Sequence, residues 1–134
     1  MFLDEHLINQ EAVLHGDLNT RNIIICDDGR IAVIDFEQGQ VGCGSHDAAY
    51  LISEIVIASF AVNEAVEKLI NLLWSNYEAG SFNVDKHAHF RRHLSFQVLY
   101  RLKGPSRHVW TGHLNDSIKA KIEAWCVDEF SSRL

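Results

Sequence analysis

The residues best equipped for chemistry stand in the first third of the chain: Asp17, then Asn22 after four intervening residues, then Asp35. They lie in two stretches, Val13-Leu14-His15-Gly16-Asp17-Leu18-Asn19-Thr20-Arg21-Asn22 and Val33-Ile34-Asp35-Phe36-Glu37. Between them, the β-branched runs 22–26 and 31–34 flank Asp27-Asp28-Gly29-Arg30, whose Asp-Gly pair suits the left-handed backbone of a hairpin turn. A hairpin returns the chain to its starting point, so Asn22 and Asp35 are expected side by side, with Asp17 on the loop just upstream. A carboxylate and an amide oxygen are hard ligands suited to Mg²⁺, which keeps several waters and shares the rest of its shell with substrate phosphates. The remaining carboxylate is then available to take or orient a proton.

A frame must hold these groups, and the downstream periodicity supplies one. From Asp47 onward, Leu51, Ile52, Ile55 and Val56, then Val62, Val66, Leu69, Ile70, Leu73, Trp74 and Tyr77, recur at helical spacing, with a break expected near Asn63. Phe90, Leu94, Val98 and Leu102 predict a third helix, and Leu114, Ile118, Ile122, Cys126 and Phe130 a fourth beyond the Gly104-Pro105 turn. Near the N-terminus, Leu3, Leu7 and Leu14 share one helical face, interrupted by Gln10, which predicts a weak amphipathic helix. The expected class is α+β, mainly α, and a length of 134 residues predicts one domain over 1–134.

Composition narrows the function classes. The chain is 47% hydrophobic and 22% charged with a formal net charge of −6, far from the signature of disorder. Residues 1–60 carry 10 Asp/Glu against 2 Lys/Arg, and residues 61–134 carry 8 against 10. An acidic balance disfavours general nucleic-acid binding, whereas converging acids can hold a divalent metal. No apolar stretch reaches the ~20 residues of a membrane span, so no membrane association is expected. The start lacks the pattern of a signal peptide, and Cys26, Cys43 and Cys126 have neither C-x-x-C spacing nor an even count; the expected location is cytoplasmic.

Asp17 with Asn22, followed after a hairpin by Asp35-Phe36, resembles the catalytic core of the kinase-like fold. Where protein kinases favour Arg, Lys and Gly, this chain has Gly16, Asn19 and Glu37, a variant that resembles the aminoglycoside phosphotransferase and choline kinase superfamily. The motif match covers residues 13–53. The resemblance implies a kinase-like C-terminal lobe, with the catalytic loop and hairpin at 13–37 and a helical part of about four helices at 45–132. It implies transfer of a phosphoryl group from ATP, with Mg²⁺, to a small-molecule hydroxyl. Asp17 would be the catalytic base or hydroxyl-orienting group, and Asn22 and Asp35 would hold Mg²⁺ against the ATP phosphates. Glu37 would assist a second metal or the substrate, and His15 would brace the loop. Asp47 would cap a helix and hydrogen-bond back to the catalytic loop.

In that fold an N-terminal lobe supplies a strand lysine and a loop covering the phosphates. Residues 1–14 contain neither Gly nor Lys and cannot build it, so the lobe is expected to be absent and the chain partial or dependent on a partner chain. A second reading is a non-catalytic helical remnant of the fold that self-associates or binds through the uncovered surface; either way a homo-oligomer is expected.

Four further features receive plainer readings. Residues 86–108 hold six Lys/Arg and no acid, read as a solvated helix face. His89 and His93 have an i, i+4 spacing able to bind zinc, but with no third ligand nearby in sequence they are read as surface or cap histidines. Trp74 and Trp125 are assigned to the core, and Trp110 to a loop between helices. Cys43 is placed on an exposed glycine-rich loop, with Gly39, Gly42 and Gly44 as turn residues.

Overall fold

The computed structural model describes residues 12–62, 65–77 and 84–131. Two small antiparallel ribbons precede a mainly helical body. The expected hairpin pairs β2 (Ile23–Ile25) with β3 (Ile31–Val33), Ile23 opposite Val33 and Ile25 opposite Ile31. Its turn closes through Cys26 N–H to the Arg30 carbonyl (2.8 Å) and Gly29 N–H to the Cys26 carbonyl (2.9 Å). Gly29 has φ +80°, a conformation that costs glycine little.

A second ribbon was not anticipated. β1 (Ala12–Leu14) pairs with β4 (Gln40–Gly42), Ala12 opposite Gly42 and Leu14 opposite Gln40. Leu14 therefore belongs to a strand and not to the expected amphipathic helix, whose other apolar members, Leu3 and Leu7, lie outside the described residues, as does the interrupting Gln10. The sidedness has period two: Val13 is 87% exposed and Leu14 is buried. A partner strand from beyond the hairpin fixes that backbone, and long-range pairing outweighs a three-leucine local pattern. Gly42 is thus a strand residue, where a turn was expected.

Five helices follow: α1 (Ser45–Val62), α2 (Val66–Tyr77), α3 (Val84–Lys103), the short α4 (Arg107–Trp110) and α5 (Asp116–Ser131). The chain passes from α1 to α2 within 63–65, where the apolar pattern breaks. Helix α3 lies between α1 and α5 and is the centre of the body. Ala48, Ala49, Ile52 and Val56 of α1, Ile70 and Trp74 of α2, Phe90, Leu94 and Val98 of α3, and Ile122 and Cys126 of α5 form one buried cluster. Trp74 stacks on Phe90 at 4.3 Å, and Trp125 packs at the cluster's edge, as their apolar faces predicted. By length and hydropathy alone α1 could cross a bilayer, but close to half of that span is buried inside the protein. The α3 terminus is set by Gly104, whose N–H reaches the Tyr100 carbonyl at 2.7 Å. A Cβ there would overlap that carbonyl. Helix α4 occupies what was expected to be loop, and Trp110 is its last residue.

The basic segment is a solvated face only in part: Lys103 and Arg107 are exposed, but two of its arginines are interior. Arg91 and Arg101, each 1% exposed, are among the most buried side chains described. Arg91 grips Glu129 of α5 through Nε (2.8 Å) and Nη2 (2.5 Å), and Glu67 of α2 through Nη1 (2.8 Å) and Nη2 (3.0 Å). One guanidinium thereby ties three helices together. Burial alone would lower its pKa, but the two carboxylates push it above the usual arginine value. His93 is also buried, not a surface histidine.

Candidate active site

The loop between β1 and β2 carries His15, Gly16, Asp17, Asn19 and Asn22. His15 is buried, and its Nε2 meets the Ile34 carbonyl at 2.7 Å while Nδ1 accepts the Asp17 N–H at 3.3 Å. With Nε2 as donor, one tautomer satisfies both bonds. The ring also packs on Phe36 at 4.5 Å. His15 therefore links the loop to the far end of the hairpin, just before Asp35.

Gly16 has φ +82°, and a Cβ on it would overlap the Gln38 carbonyl. Both the dihedral and the space require glycine, which accounts for Gly where protein kinases favour Arg. Asp47, in the first turn of α1, turns its carboxylate onto this loop: Oδ2 accepts the His15 N–H at 2.6 Å and Oδ1 the Gly16 N–H at 3.0 Å. The helix begins at Ser45, so Asp47 stands just inside it, and these bonds are to the loop. Burial pushes its pKa up, but the His46 ring 3.8 Å away and the hydrogen bonds from the two loop amides outweigh this and hold it below the ordinary value.

Asn22, buried at the end of a 3₁₀ turn (Thr20–Asn22), donates Nδ2 to the Asp17 carbonyl at 2.9 Å and, at 3.4 Å, to the Asp17 carboxylate. This leaves Oδ1 as the amide oxygen able to face a cation. Asn19 donates to the same carbonyl at 3.1 Å, and its Oδ1 takes the Arg21 N–H at 3.0 Å. It caps the 3₁₀ turn, a role that lysine could not fill.

The Ile34 N–H bonds to the Asn22 carbonyl at 3.0 Å, extending the ladder one step past β2 and β3. Asp35 is the next residue, so the hairpin brings Asn22 and Asp35 to its same end, as their spacing predicted. Asp35 has φ 67° and ψ 58°, the one non-glycine residue with positive φ among those described. It precedes the 3₁₀ turn Phe36–Gln38 without a side-chain cap bond. A left-handed conformation held by a non-glycine residue beside buried loop amides is the kind of strain that functional sites retain. Glu37 is exposed on that turn. An exposed carboxylate (Asp35) and an amide oxygen (Asn22) at one ribbon end form a hard donor set that fits Mg²⁺.

Helix and loop residues complete the surroundings of Asp17. The Tyr50 phenol of α1 lies beside Asp17; burial first, then that carboxylate, push its pKa up to about 12. Glu54 takes the Thr20 N–H (3.2 Å) and hydroxyl (2.5 Å), tying α1 to the loop. Arg101 of α3 donates Nε to Ser53 Oγ (2.7 Å) and Nη2 to the Tyr50 carbonyl (3.1 Å), and lies 3.3 Å from Glu54. Its guanidinium stacks on the Trp110 ring at 3.9 Å, and Arg21 lies over the same ring at 4.6 Å. Burial lowers the Arg101 pKa despite the nearby Glu54, Tyr50 and Asp17 charges. A cavity of about 110 Å³ between Glu54, Ile57, Ala58, Trp110 and His113 adjoins this group.

Sequence reasoning passed over Tyr50, Glu54 and Arg101. A signal existed for two of them: Asp47, Tyr50 and Glu54 fall at i, i+3 and i+7, a polar stripe along an otherwise apolar helix. Arg101 joins them only through the α1–α3 packing.

Residues 2–84 match the family model of the phosphotransferase enzyme family, APH. No curated protein and no solved structure matches the chain.

Proposed function

Since the chain belongs to the phosphotransferase enzyme family, we propose that it is the C-terminal, substrate-side lobe of a kinase-like enzyme that moves a phosphoryl group from ATP to a small-molecule hydroxyl. The observation that carries this reading is the shared ribbon end, where Asn22 fixes Asp17 while Asp35 presents a carboxylate not engaged in capping its 3₁₀ turn. Asp17 is the group that orients the acceptor hydroxyl and takes its proton. Its carboxylate is positioned by Asn22, with the Tyr50 phenol beside it, and its backbone is held by Asn19, Asn22 and His15. Asn22 Oδ1 and Asp35 would hold Mg²⁺, with Glu37 in reach of a second ion or of substrate. When bound, the ion neutralises phosphate charge and aligns the transferring group. His15 and Asp47 keep the loop rigid, so that little reorganisation is needed during transfer.

The nucleotide-gripping half is assigned to another segment or another chain. Val13, Ile25, Ile31, Phe36 and Val41, all on the two ribbons or the turn between them, are more than half exposed, and a grouping of this kind usually marks a covered surface. The same observation favours a second reading, a non-catalytic self-associating module.

Calorimetry with Mg·ATP separates the two. Binding that requires Mg²⁺ and is abolished in Asp35→Asn is expected for the enzyme lobe. Absence of binding at millimolar nucleotide overturns that reading and leaves the module.

A further inference from the structure

Away from the candidate active site, the turn between β4 and α1 places Cys43 against two histidines one turn apart on α3. The ligating atoms of Cys43, His89 and His93 all lie within 4.8 Å of one another. We propose that these three side chains form a zinc site, with one thiolate and two imidazoles as protein ligands and a fourth position for solvent or an added ligand.

Three observations carry this. Cys43 Sγ and His89 Nδ1 are 3.5 Å apart. Tetrahedral zinc, with Zn–S of about 2.3 Å and Zn–N of about 2.0–2.1 Å, separates neighbouring sulfur and nitrogen ligands by about 3.6 Å, so this pair already has the required spacing. The rings of His89 and His93 lie 4.6 Å apart at 70°, and their i, i+4 positions on one helix let both reach a single ion by small side-chain rotations. His93 is buried and Cys43 is half-buried, so the group is anchored in the protein while its thiol keeps access to solvent.

The donors also define the class of metal. Sulfur with imidazole suits zinc and other borderline-soft ions, whereas the Asn22 and Asp35 oxygens suit Mg²⁺, so one chain can sort two cations by ligand chemistry. On binding, the Cys43 S–H bond breaks as the S–metal bond forms, the proton leaves to solvent, and no oxidation state changes. The occupied site would clamp the turn leading into α1 to the central helix α3. Cys43 is only four residues before Asp47, which braces the loop at His15 and Gly16.

Cobalt titration of the metal-free full chain tests the proposal without nucleotide or activity. One equivalent of Co²⁺ is expected to produce a thiolate-to-cobalt charge-transfer band that Zn²⁺ displaces. Cys43→Ser should lose the band and His89→Ala should weaken binding at least about 100-fold, while Cys26→Ser behaves as wild type. Zinc should also raise the midpoint of thermal unfolding of the wild type and not that of Cys43→Ser. No stoichiometric band in the wild type, or a band that persists in Cys43→Ser, overturns the site.

Discussion

Asp47→Asn isolates the brace of the candidate active-site loop. The native carboxylate accepts the His15 amide at 2.6 Å and the Gly16 amide at 3.0 Å. Hydrogen bonds to a charged group contribute roughly 1.5–3 kcal/mol each, so two such bonds set an upper range of about 3–6 kcal/mol. Asparagine keeps one acceptor oxygen and turns an amine toward the other N–H. The side chain is 15% exposed, so water can reach part of the deficit, and the expected loss is about 2–3 kcal/mol. Urea unfolding near neutral pH measures the global part. Amide exchange at His15 and Gly16 measures the local part and should accelerate before the helical core opens.

The pH dependence gives a second handle on the same brace. The folded pKa of Asp47 lies below the ordinary value of 3.8, so the unfolded chain binds this proton first as pH falls. The carboxylate's contribution is complete above 3.8 and disappears as pH drops through the lower folded value. The stability difference between wild type and Asp47→Asn should therefore be flat at neutral pH and shrink in that acid window. Equal stability and equal loop exchange in the two proteins would refute the brace.

Gly16→Ala is expected to destabilise by at least about 1–2 kcal/mol from the left-handed backbone alone, with the overlap on Gln38 added; an urea midpoint equal to wild type would contradict the geometry of the loop. Arg91→Met should cost about 3–5 kcal/mol by taking both guanidinium bonds from the buried Glu129 carboxylate, and Arg91→Met with Glu129→Leu should recover much of that in thermal melts. The exposed ribbon face predicts self-association of this chain at tens of micromolar by light scattering, shifted toward monomer by Ile25→Lys with Ile31→Lys; a monodisperse wild-type monomer counts against the covered face.

Local chemistry explains why much of the site could be read in one dimension. The β2–β3 hairpin is defined by short β-branched runs and an Asp-Gly turn, all within a dozen residues, and hairpin closure then places Asn22 and Asp35 at one end without help from the rest of the fold. The long helices were equally accessible, because a helix core face repeats every three or four residues and the breaks fall at Gly104 and near Asn63. Apart from the short local helix α4, the misread parts depend on partners distant in sequence. Leu14 joins a strand because Gln40 lies opposite it, and Arg91 and Arg101 of the basic run are buried because Glu67, Glu129 and Ser53 come to meet them.

The order of residues by itself determined the chemical inventory of this protein: a loop with Asp17, a ribbon, a second acid past it, and helices to support them. These are short-range consequences of backbone geometry and hydrophobic spacing. Packing alone decided which polar groups became interior. Burying an arginine or a histidine is tolerable only when a partner from another helix is already in position, and Cys43 meets His89 and His93 only once β4 delivers the chain to the flank of α3.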